Sequence, residues 1–132
     1  MAKVIQISEA TSLAFHAIVL IGRSDSILNV HKIAESTGAS RHHLAKVLQR
    51  LAKDKFIKSV KGPSGGFLLN KKPEEITLFD IYQSIEGKVV ETGCPLDRTI
   101  CPFTNCLTGG VIADLTKQFI DHFSSLTLTT YL

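Results

Sequence analysis

At 132 residues the chain is about one domain long, and its 44% hydrophobic and 20% charged residues are ordinary globular usage. Its longest apolar run, Ala17 to Ile21, falls far short of the ~18 residues a membrane helix needs, and the N-terminal MAKVIQISEA lacks the charged-then-apolar pattern of an export signal, so a cytoplasmic chain with no membrane partner is expected. The net charge of +3 hides a division: residues 31–72 carry ten Lys/Arg against two acids, a net of +8, while the remainder carries five against ten.

Ser8 to Gly22 is predicted as a helix, capped by Ser8, with Glu9 in its first turn and a broad apolar face of Leu13, Ala14, Ala17, Ile18 and Ile21. A short helix follows over Val30 to Ser36, with Asn29 as cap and Gly38 as stop. A third begins at Ser40. There Leu44, Val47, Leu48 and Leu51 form one stripe, and Arg41, His42, His43, Lys46, Gln49, Arg50 and Lys53 lie opposite. Phe56 to Val60 alternates as a strand does, residues 62–66 read as a turn, and Phe67 to Leu69 as the return strand. Thr77 to Glu86 is predicted as another amphipathic helix, with Thr77 and Asp80 at capping-box spacing and Leu78, Phe79, Ile81, Tyr82 and Ile85 facing inward. Gly87 to Asn105 reads as a loop. A last helix is predicted from Leu107 to Ser125, where Val111, Ile112, Leu115, Phe119, Ile120 and Phe123 recur at a/d-like spacing and suggest a partner chain.

Two helices joined by a short turn, then a hairpin, make a winged helix-turn-helix. The fold class expected is mainly α with a small β-hairpin wing and a long C-terminal dimerisation helix. The divisions are 1–87 for DNA binding, 88–106 for a cysteine cluster loop and 107–132 for the dimerisation helix and tail. The +8 block is the electrostatic footprint of a nucleic-acid face. A helix fits the major groove and meets base edges with its N-terminal side chains, so Arg41, His42, His43 and Lys46 are candidates, with Ser40 on a phosphate. The wing adds Lys58, Lys61 and Ser64. No glycine-rich nucleophile turn or C-x-x-C pair supports an enzyme.

Cys94, Cys101 and Cys106 lie within thirteen residues, as C-x6-C-x4-C. Thiolates suit zinc, Cu(I) or iron–sulfur clusters, and this spacing is unlike the C-x2-C units of zinc ribbons. No histidine lies within four residues after Cys106, so the segment itself supplies three ligands.

The stretches HKIAESTGASRHHLAKVLQRLAKDKFI, KSVKGPSGGFLL and EEITLFDIYQSIEG, followed by the three cysteines, resemble the BadM/Rrf2-type winged-helix transcriptional regulators, and the resemblance covers nearly the whole chain. It implies a homodimer on a roughly palindromic double-stranded DNA operator. It also implies an iron–sulfur cluster on Cys94, Cys101 and Cys106. This chain departs from the family at the fourth ligand. A histidine of IscR-like members falls on Gly109. The aspartate of NsrR-like and the glutamate of RsrR-like members both fall on Ser12. The histidine of RsrR-like members matches His16, which is the first choice, contributed in trans, ahead of Glu9 and His122. The histidine tilts the reading toward a 2Fe–2S over a 4Fe–4S cluster. The alternative is a cluster-free regulator that uses its thiols or another signal.

Overall fold

The structure is a computed structural model that describes residues 5–89 and 101–132. Helix α1 spans Glu9–Arg23. Ser8 caps it, its side chain accepting from the Thr11 amide. Its apolar face lies in the core, with Ala14, Ala17 and Ile18 fully buried. Helices α2 (Val30–Thr37) and α3 (Arg41–Lys53) are each started by a side-chain cap, Asn29 and Ser40, and separated by Gly38 at φ 72. A residue with a Cβ tolerates that conformation poorly, so the glycine fixes where α2 stops.

After α3 the chain turns through Lys55, a non-glycine residue at φ 66, and enters an antiparallel hairpin. Strands β1 (Ile57–Val60) and β2 (Gly66–Leu69) pair Ile57 with Leu69 and Val60 with Gly66. Phe56 is buried just before β1, one residue outside the strand expected to include it. Leu28, in the α1–α2 connection, pairs with Phe67 through two backbone hydrogen bonds of 3.1 and 2.9 Å, so the wing is tied to the helical body close to its turn.

A 3-10 turn, Pro73–Glu75, leads to α4 (Leu78–Glu86). Both halves of the Thr77–Asp80 capping box form, at 3.0 and 3.2 Å. Helix α5 spans Val111–Ser125, about 22 Å of helix. It starts four residues later than the sequence pattern suggests, because Gly109 and Gly110 take φ 64 and 76 and end the preceding turn. The chain then returns: Thr127 bridges Thr77, the Leu78 amide donates to the Leu126 carbonyl at 2.9 Å, and Leu128 is fully buried. A closing 3-10 turn, Leu128–Tyr131, lies against α1, where Arg23 Nε donates to the Tyr131 carbonyl at 2.6 Å.

Only part of α5 is covered by its own chain. Phe119 meets Tyr82 edge-on at 4.7 Å between ring centres, and Phe123 stacks on Phe15 at 5.9 Å. Leu107, Val111 and Leu115 are 79%, 51% and 52% exposed. An apolar groove of about 430 Å³ runs beside them, lined by Ile5, Ile112, Leu115, Phe119 and Phe123.

Candidate nucleic-acid interface and cysteine segment

The apolar stripe of α3 leaves one face outward. On it Arg41, His42 and Lys46 are exposed, as is Gln49. The Ser40 hydroxyl is engaged as the cap, accepting from the His43 amide at 3.1 Å. His43 is half-buried and inclines toward α1, with its Nδ1 4.0 Å from Glu9 Oε1. Arg50, which the pattern places on the polar face, spends its Nε on the Ser84 carbonyl at 2.8 Å. Lys53 in the last turn is exposed as well, so the basic face runs the length of the helix, with Arg41, His42 and Lys46 at its leading end.

The wing presents Lys58, Lys61 and Ser64, all exposed. Its tip closes with the Gly65 amide donating to the Gly62 carbonyl at 2.9 Å. A cleft of about 440 Å³ separates the wing from the start of α2, bounded by Asn29, His31, Lys61 and Gly66. Basic side chains on the leading turns of a helix and on the adjoining hairpin suit a groove and its flanking phosphates.

Cys101 and Cys106 are both exposed, and Cys94 lies outside the described residues. A hydrogen bond with the Thr108 side chain, joined by the backbone N–H groups of Gly110 and Thr108, holds the Cys106 thiol below its ordinary range. His16 is exposed on α1, with Nδ1 2.7 Å from the Ser12 carbonyl. A carbonyl only accepts, so in the neutral ring Nδ1 carries the proton and Nε2 keeps its lone pair. That is the arrangement a metal-binding histidine adopts, with the second nitrogen anchored to a backbone acceptor. Glu9, Ser12 and His16 line a groove of about 400 Å³ against Ser36, Thr37 and Gly38. Among the described residues of one chain, no three His, Cys, Asp or Glu side chains converge as a metal site. His122 instead packs edge-on against Phe123.

The family model described as an iron-dependent transcriptional regulator, Rrf2, matches residues 7–131. This chain belongs to the Rrf2 family. An Aquifex aeolicus helix-turn-helix-type transcriptional regulator is 44% identical over 107 residues, covering 79% of this chain and 74% of the relative. The transcriptional regulator IscR of Pectobacterium atrosepticum is 31% identical over 96 residues, covering 73% of this chain and 58% of the relative. The chain thus matches somewhat over half the length of its IscR relatives. Among solved structures, CymR of B. subtilis, the global cysteine regulator, superposes with a TM-score of 0.78 at 19% identity, covering 95% of this chain and 94% of that one. The T. potens IscR gives 0.75 at 22% identity, covering 95% and 84%. These two share the fold, a mainly helical body with a two-stranded wing. The Rrf2 relatives are transcriptional regulators, not enzymes. Among the described residues no helix is long and apolar enough to cross a membrane.

Sequence pattern alone did not reveal the Ser84–Arg50 contact or the engagement of His43 with α1. Both depend on how α1 and α4 pack around α3, and a spacing rule along one helix carries no such information.

Proposed function

We propose that this chain is a homodimeric, sequence-specific DNA-binding transcriptional regulator that senses redox, nitric oxide or iron status through an iron–sulfur cluster. The observation that carries the DNA reading is the outward set of Arg41, His42 and Lys46 on a capped helix, with Lys58, Lys61 and Ser64 on the adjoining wing. Ser40 is exposed at the start of that helix and would meet a phosphate, and the half-buried His43 would reach the DNA beside it. The exposed apolar side of α5 supports the dimer: Leu107, Val111 and Leu115 would be covered by a second copy.

The residues present fit a cluster. Cys101 and Cys106 reach the surface, Cys106 is biased toward the thiolate that ligates metal, and His16 offers an anchored ring with a free Nε2. Cys94, Cys101 and Cys106 would hold the group, with the partner subunit's His16 as the fourth ligand. Bound there, a cluster supplies a centre responsive to oxidation, nitric oxide and iron supply. The chain's own part is to hold it at the border of the two subunits, where α1 and the α2–α3 turn meet.

The test is to load the protein anaerobically with iron and sulfide, strip a second sample, and compare DNA affinity. The DNA is the tightest duplex recovered by selection from a random pool. Visible absorbance and bound iron are expected in the wild type, with their loss in Cys94→Ala, Cys101→Ala and Cys106→Ala, and with a change of spectrum in His16→Ala. Arg41→Ala and Lys61→Ala are expected to weaken binding about tenfold each, and removing either charge should lower the salt slope by about one. Equal affinity of loaded and stripped protein would sink the sensor. The exposed, low-pKa Cys106 favours one second reading, a thiol switch without iron. Protein that binds no iron yet loses DNA affinity on mild peroxide treatment would establish that instead.

A further inference from the structure

The last turn of α4 is tied to α3 by a compact polar network. Ser84 is 6% exposed. Its hydroxyl donates to Asp54 Oδ2 at 2.5 Å, and its carbonyl accepts from Arg50 Nε at 2.8 Å. Arg50 Nε and Asp54 Oδ2 are themselves 3.6 Å apart. One residue of α4 therefore meets two side chains at the C-terminal end of α3. Asp54 is the residue that caps that end, Lys55 turns the chain at φ 66, and Phe56 is buried as the wing begins. The recognition helix ends at this corner, and the wing begins three residues after Asp54.

Ser84 is also close to the cysteine segment along the chain. Gly87 caps α4 three residues later, and the segment follows. The same end of α4 is fastened to the segment that leads into α1: the Ser8 hydroxyl donates to Glu86 Oε1 at 2.8 Å, and Tyr82 Oη donates to the Gln6 carbonyl at 2.8 Å. Arg50 and Asp54 are partly open to solvent, but Ser84 is buried between them, so a shift of either side chain leaves the buried serine without a partner.

We propose that Ser84, with Asp54 and Arg50, is the joint through which the state of the cysteine segment reaches the recognition helix and the wing together; this rests on the sensor reading above. Ser84 is a positioning residue, acting through the α3 corner and touching no DNA. Arg41 lies nine residues from Arg50, about 13 Å along the helix, so a tilt of about 5° at the corner displaces the reading end by about 1 Å. A displacement of that size on both elements at once is enough to disturb base contacts made at hydrogen-bond distance.

A merely structural serine would weaken loaded and stripped protein alike, so the readout is the ratio between them. Full-length wild type, Ser84→Ala and Asp54→Asn are each loaded and stripped as above, and affinity for the selected duplex is measured by fluorescence anisotropy. Wild type is expected to differ by about tenfold or more between the two forms, and Ser84→Ala by less than about threefold, with visible spectrum and iron content of the loaded variant unchanged. Asp54→Asn keeps an acceptor for the hydroxyl but loses the charge facing Arg50. It is expected to reduce the ratio as well, and it stands in should Ser84→Ala fail to fold. Amide exchange at residues 50–60 should differ between loaded and stripped wild type and not in the variants. Variants that retain the full wild-type ratio overturn the joint alone. A wild-type ratio near one overturns the sensor reading and the joint with it.

Discussion

Cys106 Sγ and Thr108 Oγ1 lie 3.2 Å apart at the surface. Once the thiol ionises, the hydroxyl must be the donor, and it favours the charged form. The unloaded protein, with Cys94 and Cys101 changed to Ser, should therefore react with iodoacetamide half-maximally at a lower pH than a free thiol does. Thr108→Val should move that midpoint up, read from alkylation rates across a pH series. A midpoint that stays put would show the hydroxyl is not the cause. The cysteines were legible in the sequence because their spacing is local. Thr108 was not, because its role depends on the turn that Gly109 and Gly110 close at positive φ. His43 was legible as a basic residue at the start of a helix. Its lean toward Glu9 belongs to the packing of α1 on α3.

The elements themselves were largely readable, and the reason is that their ends carry local chemistry. Ser8, Asn29, Ser40 and Thr77 each cap as their positions suggest, and Gly38 stops α2 at φ 72. The exception is the start of α5, expected at Leu107, where Gly109 and Gly110 at positive φ break the chain and the helix begins only with the apolar repeat at Val111. The wing shows a second kind of constraint. A Cβ on Gly66 would sit 2.5 Å from the Leu28 carbonyl oxygen, which is backbone and cannot swing away. Gly66→Ala should therefore cost about 1–3 kcal/mol in urea unfolding. It should also weaken DNA binding, since the Leu28–Phe67 bridge that anchors the wing must open to admit the methyl. A variant with wild-type stability would mean that this part of the wing shifts freely.

Across the whole molecule, the helical body is closed by the residues that follow α5. Leu128 is fully buried, and its amide donates to the Ile76 carbonyl at 3.0 Å. Leu128→Ala should cost about 2–5 kcal/mol, seen as a lowered midpoint in thermal unfolding. A loss under about 1 kcal/mol would show the tail to be dispensable. The sequence offered little warning, because a stretch as short as LTLTTYL after a helix has no period long enough to read. The outward side of α5 was, by contrast, anticipated from its apolar repeat, and Leu115 and Val111 do lie open on one chain.

That closure sets an order of events. The bond from Arg23 to the Tyr131 carbonyl spans 108 positions of sequence, and the Ser8–Glu86 contact spans 78. Helix α1 leaves the ribosome well before the residues that complete its packing. A chain emerging at about 5–20 residues per second would keep the apolar face of α1 incompletely covered for roughly 5–20 s. Long-range closure of this sort slows folding, so the growing chain has a built-in interval in which chaperones, or a second nascent copy, find that face still open.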